Sequence, residues 1–277
     1  MMRKRPDINE LKEKAIKIRS TILKMLQIAG SGHTGGSLSE VEIILTLYKY
    51  EMSHNSKKPE WEQRDRFILS KGHGCPTLYA VLADCGYFSE DLLWTLRKMG
   101  SKLQGHPQRN VPLGLEASTG SLGQGLSIAL GLALAAKMDK KDFRTYCLMG
   151  DGELQEGQIW EAAMMASFNK LDNLCGIVDN NKIQIDGFLK DVMNVEPLAE
   201  KWESFGWEVI RVDGHDVVGL MDAFDKVREI KGKPSVILAD TIKGKGISFM
   251  ENKASWHGVA PKEDEVEKAL VELKKQK

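Results

Sequence analysis

The sequence carries no excess of charge of either sign. Its 277 residues include 39 Lys and Arg against 39 Asp and Glu, so the formal net charge is zero. Proteins that bind nucleic acid or a membrane surface usually carry a basic field, and this balance argues against both partners. Specific binding of a phosphorylated small molecule stays open, because a local cluster of charges is sufficient for it.

Long hydrophobic runs and cysteine motifs are also missing. The longest apolar stretch, LSIALGLALAAKM, is too short to span a bilayer and is closed by charged residues. The basic start, MMRKRP, precedes no apolar segment of the kind found in signal peptides. The four cysteines form no C-x-x-C pair, which is typical of reduced residues in a cytoplasmic protein. We therefore expect a cytoplasmic protein without a membrane segment.

Alternating helical and strand patterns predict the fold class. A 3.6-residue apolar period indicates a helix over 11–29, and Ser37 and Glu40 have the spacing of a capping box that opens a second helix. Further helices are expected from about Thr77 and over 126–139, 156–170, 217–231 and 262–277. Short apolar segments predict strands at 66–70, 145–149, 174–179, 207–213 and 235–241. This alternation predicts an α/β fold, a parallel β-sheet with helices on both faces, in a single domain spanning 1–277.

The stretch TYCLMGDGELQEG places an acid between two glycines directly after a predicted strand. Asp151 stands at the exit of that strand, and Asn180 and Asn181 follow the next strand, one helix later. A βαβ crossover brings the carboxyl ends of parallel strands to one edge of the sheet, so these side chains are expected close together. Their oxygens suit Mg²⁺ or Ca²⁺, and Mg²⁺ usually shares its shell with phosphate oxygens. A plain turn explains Gly150-Asp151-Gly152 alone, whereas both features together favour a metal and diphosphate site.

Several motifs resemble one enzyme family. GDGELQEG and, after one helix and one strand, DNNKIQIDG resemble the thiamine diphosphate motif of transketolases. Further blocks follow the order typical of that family: SGHTGG, DRFILSKGHG, LQGHP, TGSLGQG and KGKGISFMENKASWHG. The resemblance runs from about Ile18 to Gly258 and includes only the N-terminal, diphosphate-binding part of a full-length transketolase. It implies the diphosphate-binding domain of the thiamine diphosphate-binding fold.

The resemblance implies a role for each matching residue near the diphosphate. The metal that holds the cofactor diphosphate is expected to be ligated by Asp151, Asn181 and the main-chain carbonyl of Ile183. Mg²⁺ is the expected ion, with Ca²⁺ and Mn²⁺ as alternatives. The diphosphate itself is expected to contact Gly152 and His73, with Lys243 lining the cofactor site.

Other matching positions are implied to face the rest of the cofactor, the substrate and a partner chain. The residues expected near the aminopyrimidine are Gly120, Ser121 and Leu122. Those expected to line the substrate channel are His33, His106 and His257. Glu156 resembles the acid that reaches a partner subunit near the cofactors.

Physical chemistry supports part of this assignment independently. The glycine-rich segments SGHTGG and TGSLGQG lead into predicted helix N-termini, which favour anions. Glycine adjoins the four histidines of the matching blocks, and histidine can transfer protons near neutral pH. A lone histidine is more often structural. His54 and His215 match no family role, so we expect both to be structural.

Three positions depart from the commonest pattern of the family. Thr34 stands where many relatives have proline, Gly36 replaces a larger side chain, and Ser121 occupies a position that is often proline. These changes leave the expected metal site intact and leave the substrate preference open.

The resemblance implies transfer of a two-carbon ketol unit from a ketose phosphate to an aldose phosphate. In the family, an activating glutamate and the arginines that bind the sugar phosphate belong to a pyrimidine-binding domain, which the resemblance does not include. We therefore expect a split enzyme in which two copies of this chain join two separate C-terminal, pyrimidine-domain subunits. A piece of a longer chain is the alternative, and the terminal KKQK favours a natural end.

Other functions remain open. A deoxyxylulose phosphate synthase, or a ketolase specialised for another sugar, would share the metal motif, although LSKGHG and TGSLGQG favour transketolase over the synthase. A nicotinamide dehydrogenase requires a G-x-G-x-x-G loop between a strand and a helix, which the sequence lacks. A non-catalytic cofactor-binding protein is disfavoured by the pairing of Asp151 with Asn181.

Overall fold

The computed structural model describes residues 3–276. The helices are α1 Ile8–Ala29, α2 Thr34–Ser39, α3 Val41–Thr46, α4 Cys75–Asp84, α5 Gln124–Met138, α6 Gly157–Phe168, α7 Leu189–Val192, α8 Leu198–Ser204, α9 Val217–Glu229 and α10 Glu263–Lys274. The strands are β1 Arg66–Leu69, β2 Thr145–Gly150, β3 Leu174–Asn180, β4 Glu208–Asp213 and β5 Ser235–Asp240. Lys277, at the end of the expected terminal helix, lies outside the described residues.

The five strands form one parallel sheet in the order β1-β2-β3-β5-β4. The predicted parallel α/β sheet is therefore confirmed. Strands β2 and β3 are neighbours joined through α6, and Gly150 pairs with Asp179 at their carboxyl ends. The chain leaves both strands at the same edge, which places Asp151 and Asn181 side by side.

Helices cover both faces of the sheet because the buried strands are apolar on both sides. In β2, Tyr146 and Leu148 pack into one core cluster, whereas Cys147 and Met149 pack into the other. The first cluster includes side chains from α1, α3, α4 and α9, and the second includes side chains from α5, α6 and α8. Such two-sided burial is typical of strands in parallel sheets. Within the described residues, no helix is both long enough and apolar enough to cross a membrane.

The predicted capping box at Ser37 and Glu40 is wrong. Helix α2 already begins at Thr34, and Ser37 Oγ donates to the carbonyl oxygen of His33 at 2.7 Å. Glu40 is fully buried at the junction of α2 and α3, where its carboxylate lies 3.0 Å from Lys71 Nζ. The fold places this carboxyl group beside Lys71, and the sequence spacing alone does not reveal this neighbour.

Candidate cofactor site

A cavity of about 390 Å³ lies at the carboxyl ends of β2 and β3. Its wall is built from the segments that the sequence motifs had marked, although these are far apart in the chain. The expected site residues that line it are His33, His73, His106, Gly120, Leu122, Asp151, Gly152, Glu156, Asn181, Ile183, Lys243 and His257. Ser121 is exposed and does not line the cavity. The cavity thus gathers nearly all the expected positions in one place.

Three oxygen groups at the strand ends form the candidate metal site. The buried Asp151 carboxylate accepts hydrogen bonds from the main-chain N–H groups of Gly152, at 2.7 Å, and Lys182. The side-chain oxygen of Asn181 accepts from Ile183 N at 3.2 Å, and the Ile183 carbonyl lies on the same loop. Among residues 3–276, no cluster of three or more His, Cys, Asp or Glu side chains could hold a metal. The donor set here is carboxylate, amide and carbonyl, which suits a hard cation such as Mg²⁺.

The charge of Asp151 is poorly compensated by the protein. Burial, with a contribution from nearby Asp179, raises the pKa of Asp151 to about 7. No Lys or Arg side chain of the described chain forms an ion pair with it within 4.0 Å. A buried carboxylate in this state is stabilised by a bound cation, so the residues present fit the metal that the family implies.

Lys71 and Asp179 form a buried ion pair beneath the cavity. Lys71 also donates to the carbonyl oxygen of Gly36 at 2.9 Å, and Asp179 accepts from Ser39 Oγ at 2.6 Å. Burial raises the pKa of Glu40, the second acid beside Lys71, to about 8, against the opposing effect of Lys71. The pair ties the segment before α3 to the end of β3 and so fixes the floor of the site.

Glu153 is a structural residue of the site that the sequence motifs did not single out. Its carboxylate accepts from Gly123 N at 2.8 Å, from Gly150 N at 3.0 Å and from Ser70 Oγ. It therefore joins the TGSLGQG loop to the turn at Asp151. Glu156, three residues later, is exposed at the N-terminus of α6 and borders the cavity. Both acids are visible in the sequence, but only the structure shows that Glu153 is buried and Glu156 is exposed.

Four histidine rings meet at the cavity. The ring centroid of His33 lies 5.0 Å from that of His73, 6.1 Å from that of His106 and 5.5 Å from that of His257. Burial, followed by Arg97, lowers the pKa of His33 to about 4, and burial, followed by Lys243, lowers the pKa of His257 to about 3. The rings are consequently neutral at neutral pH and can accept or donate a hydrogen bond.

Glycine at position 120 is explained by the ring of His106. Gly120 has a φ of +144°, and a Cβ atom there would stand 3.1 Å from the ring of His106. Any larger residue would push the ring or strain the backbone. The absence of a side chain at this position therefore lets the His106 ring lie close against the TGSLGQG loop.

Lys243 connects the candidate metal loop with the histidines. Its buried Nζ atom donates to the carbonyl oxygen of Ile183 at 2.9 Å and lies 2.7 Å from Nδ1 of His257. Burial, helped by Lys71, lowers the pKa of Lys243 to about 8. A cation in the cavity that Gly152 also lines makes this site suitable for an anion such as a diphosphate.

The parallel sheet and the oxygen site at its carboxyl edge define a thiamine diphosphate-binding fold of the α/β class. The family model described as transketolase, thiamine diphosphate binding domain, matches residues 11–275. The chain belongs to the transketolase family, as its thiamine diphosphate-binding part.

Several relatives match the chain over nearly their whole length. It is 47% identical over 265 residues to an apulose-4-phosphate transketolase subunit from Actinobacillus succinogenes, covering 96% of this chain and 95% of that protein. It is 45% identical over 267 residues to the 6-deoxy-6-sulfo-D-fructose transketolase subunit SqwG from a Clostridium species, covering 96% and 97%.

Full-length transketolases match over a smaller share of their chains. The transketolase structure from Campylobacter jejuni superposes with a TM-score of 0.89 at 35% identity, covering 97% of this chain and 43% of the other. The structure from Leishmania mexicana gives a TM-score of 0.88 at 34% identity, covering 95% and 41%. The chain thus spans about two fifths of the length of these enzymes.

Proposed function

We propose that the chain is the diphosphate-binding subunit of a two-chain, thiamine diphosphate-dependent transketolase. The observation that carries this proposal is the grouping of Asp151, Asn181 and the Ile183 carbonyl at the ends of β2 and β3, within one cavity that also holds Lys243 and His73. The reaction moves a two-carbon ketol unit from a ketose phosphate to an aldose phosphate. When bound, the cofactor supplies the carbon nucleophile that takes up this unit.

The metal and diphosphate roles follow from the groups on each wall. Asp151, Asn181 and Ile183 supply oxygens to Mg²⁺, whereas Lys243 and His73 supply donors for the diphosphate oxygens. Gly152, whose main-chain N–H donates to the Asp151 carboxylate, lines the same cavity and is assigned to contact the diphosphate. Gly120, Ser121 and Leu122 are assigned to the aminopyrimidine side, and exposed Glu156 to the contact with a partner chain.

The substrate roles belong to His33, His106 and His257. Their neutral rings can hydrogen-bond the hydroxyl groups of a sugar and can hold or pass on a proton as a carbon–carbon bond breaks or forms. His33 Nδ1 is buried and has no hydrogen-bond partner among the described residues. A polar substrate or an ordered water would satisfy it, which supports a ligand-facing role.

The partner is proposed to be a separate chain that carries the pyrimidine-binding domain. Support comes from relatives named as transketolase subunits that have nearly the same length as this chain. We further propose that two copies of this chain associate, through apolar side chains exposed on α5 and α6, and that the assembly works in the cytoplasm with free sugar phosphates. The exposed side chains are Ile128, Met138, Met164, Met165 and Phe168.

A ketolase specialised for another sugar is a second candidate function, and the names of relatives favour it. Relatives that match over nearly their whole length are named for apulose 4-phosphate and for 6-deoxy-6-sulfo-D-fructose. Gly36 also lines the cavity, where a Cβ atom would meet His73 and Lys71 at van der Waals distance, 3.6 Å, so the size of this residue bears on the shape of the cavity. We therefore propose ketose phosphates and their sulfonated analogues as the donor substrates to compare.

The test is a transferase assay of the purified chain, with and without the candidate partner subunit. Xylulose 5-phosphate, apulose 4-phosphate and 6-deoxy-6-sulfo-D-fructose serve as donors, each with an aldose phosphate acceptor. We expect transfer only when both chains, thiamine diphosphate and Mg²⁺ are present. Full activity of this chain alone would refute the two-chain proposal, and no transfer from any donor would refute the assigned reaction.

A further inference from the structure

His215 lies outside the cavity, in the turn between β4 and α9, yet its ring bridges two other segments. Its Nε2 atom accepts from the main-chain N–H of Ile242 at 2.9 Å, and its Nδ1 atom lies 3.0 Å from Oε2 of Glu42. Because Ile242 N can only donate, Nε2 carries no proton, and Nδ1 is then the donor to the carboxylate. The neutral ring therefore has both of its nitrogens paired.

Glu42 links His215 to Arg19, which contacts the same segment of the chain, residues 242–245. Its two carboxylate oxygens accept from Arg19 at 2.6 and 2.7 Å, and the side chains of both residues are at most 10% exposed. Arg19 also donates from Nε to the carbonyl oxygen of Lys245 at 3.0 Å. Despite burial, Arg19 and His215 lower the pKa of Glu42 to about 2, so the carboxylate stays charged near neutral pH.

The segment 242–245 is thus held at both ends, by His215 at Ile242 and by Arg19 at Lys245. Lys243 lies between these two contacts. Its side chain packs closely over Gly35, where a Cβ atom would stand 3.0 Å from Lys243 Cγ. Because this side chain is packed against Gly35, a shift of the segment would displace it and move Nζ relative to the Ile183 carbonyl.

We propose that His215 is a positioning residue, which sets the place of the Lys243 ammonium group through its hydrogen bond to Ile242 and its contact with Glu42. The proposal rests on the assignment of Lys243 to the cofactor site made above. Main-chain bonds also hold this segment, from Gly244 N to Gly35 O at 3.0 Å, from Lys245 N to Ile242 O at 3.1 Å and from Asn252 N to Lys243 O at 2.9 Å. The N–H of Ile242 is bonded by His215. Outer groups that orient a ligand typically contribute about 10- to 100-fold to affinity or activity.

The test compares His215→Phe, which keeps a ring but has no hydrogen-bonding atoms, with His215→Gln, which can still accept from Ile242. Amide hydrogen exchange over 241–256 is measured on the whole chain, and thiamine diphosphate affinity with Mg²⁺ is measured by calorimetry. We expect His215→Phe to raise exchange at 242–245 and to weaken cofactor binding on the order of tenfold. His215→Gln is expected to retain most of the protection from exchange at 242–245 and most of the cofactor affinity.

His54 provides a matched control, because its ring also bridges two groups outside the cavity. Its Nδ1 atom lies 3.1 Å from Tyr87 Oη and its Nε2 atom 2.9 Å from the carbonyl oxygen of Tyr48. We expect His54→Phe to change neither exchange at 242–245 nor cofactor affinity. Equal effects of His54→Phe and His215→Phe would indicate general destabilisation of the chain and would overturn the proposal.

Two further outcomes also overturn it. One is unchanged exchange at 242–245 in His215→Phe, and the other is faster exchange with unchanged cofactor affinity. If the unmodified chain bound no thiamine diphosphate, with or without the candidate partner subunit, the assignment of the cofactor site would fail. The exchange comparison would still decide separately whether His215 orders the segment.

Discussion

Lys243 donates from Nζ to the carbonyl oxygen of Ile183 at 2.9 Å, across 60 positions of sequence. This carbonyl is one of the three oxygens proposed to hold the metal. It has two lone pairs, so it can serve the ammonium group and a metal ion together. The contact places a protein cation between the candidate metal site and His257, where a diphosphate would need one.

Replacing the candidate metal ligand is expected to abolish cofactor binding without loss of the fold. For Asp151→Ala we expect metal-dependent thiamine diphosphate affinity to fall by more than about 100-fold, beyond the loss typical of outer groups. The thermal midpoint without metal should be kept or raised, because the buried carboxylate opposes folding near neutral pH. Calorimetric titration together with the partner subunit measures the first effect. Asp186→Ala, an exposed acid beside the same loop, is the control, and wild-type affinity of Asp151→Ala would disprove the assignment.

The histidines are expected to have different roles, one in cofactor binding and the others at the substrate. His73→Ala should weaken thiamine diphosphate binding, whereas His106→Ala and His257→Ala should lower turnover by roughly 100-fold, a typical loss for a proton-transferring group. His257 also contacts Lys243, so we expect it to show some loss of cofactor affinity, smaller than that of His73. Steady-state kinetics with the partner subunit, combined with cofactor titration, separates the cases. Loss of cofactor affinity alone in all three variants would contradict this division.

The sequence predicted the strands and the cavity wall better than the contacts beneath it. All five strands are confirmed to within one residue at each end. Four of them, β1, β2, β3 and β5, are short apolar segments that the fold buries on both faces, whereas β4 is only partly buried. The motif positions met in one cavity because parallel crossovers bring strand ends together. Ser121 is the exception, since its neighbours Gly120 and Leu122 line the cavity while its own side chain is exposed.

Buried partners that are distant in sequence could not be predicted. Lys71 and Asp179 lie 108 positions apart, and nothing in their local sequences pairs them. Glu40 shows the same limit, because its spacing from Ser37 indicated a helix cap while the fold placed it beside Lys71. Periodicity reports burial and local bonds, but it carries no information on which buried charges meet.

Glu40 is expected to make the stability of the chain depend on pH. Its pKa is raised from the usual 4.5 to about 8, mainly by burial. Between these values the folded state holds a proton that the unfolded state releases, so the contribution of Glu40 to the free energy of unfolding falls as pH rises from about 4.5 to 8. Glu40→Gln, which mimics the protonated acid, should remove this contribution, on the order of a few kcal/mol at pH 8. Urea unfolding of wild type and Glu40→Gln across this pH range measures the contribution, with a substitution of an exposed acid, Glu60→Gln, as the control. If the free energies of unfolding of wild type and Glu40→Gln changed in parallel with pH, the expectation would be contradicted.

The apolar face of α5 and α6 is expected to join two copies of the chain. Phe168 is 84% exposed and Met164 is 55% exposed, on helices whose opposite sides pack into the core. Exposed apolar patches usually mark interfaces, and a charge at their centre is costly to bury. Phe168→Glu should therefore shift the purified chain towards monomers in sedimentation velocity, with an unchanged circular dichroism spectrum. Met99→Glu is the matched control, since Met99 is fully exposed in a turn that belongs to neither helix. Equal sedimentation of Phe168→Glu and the unmodified chain would place the contact between copies elsewhere.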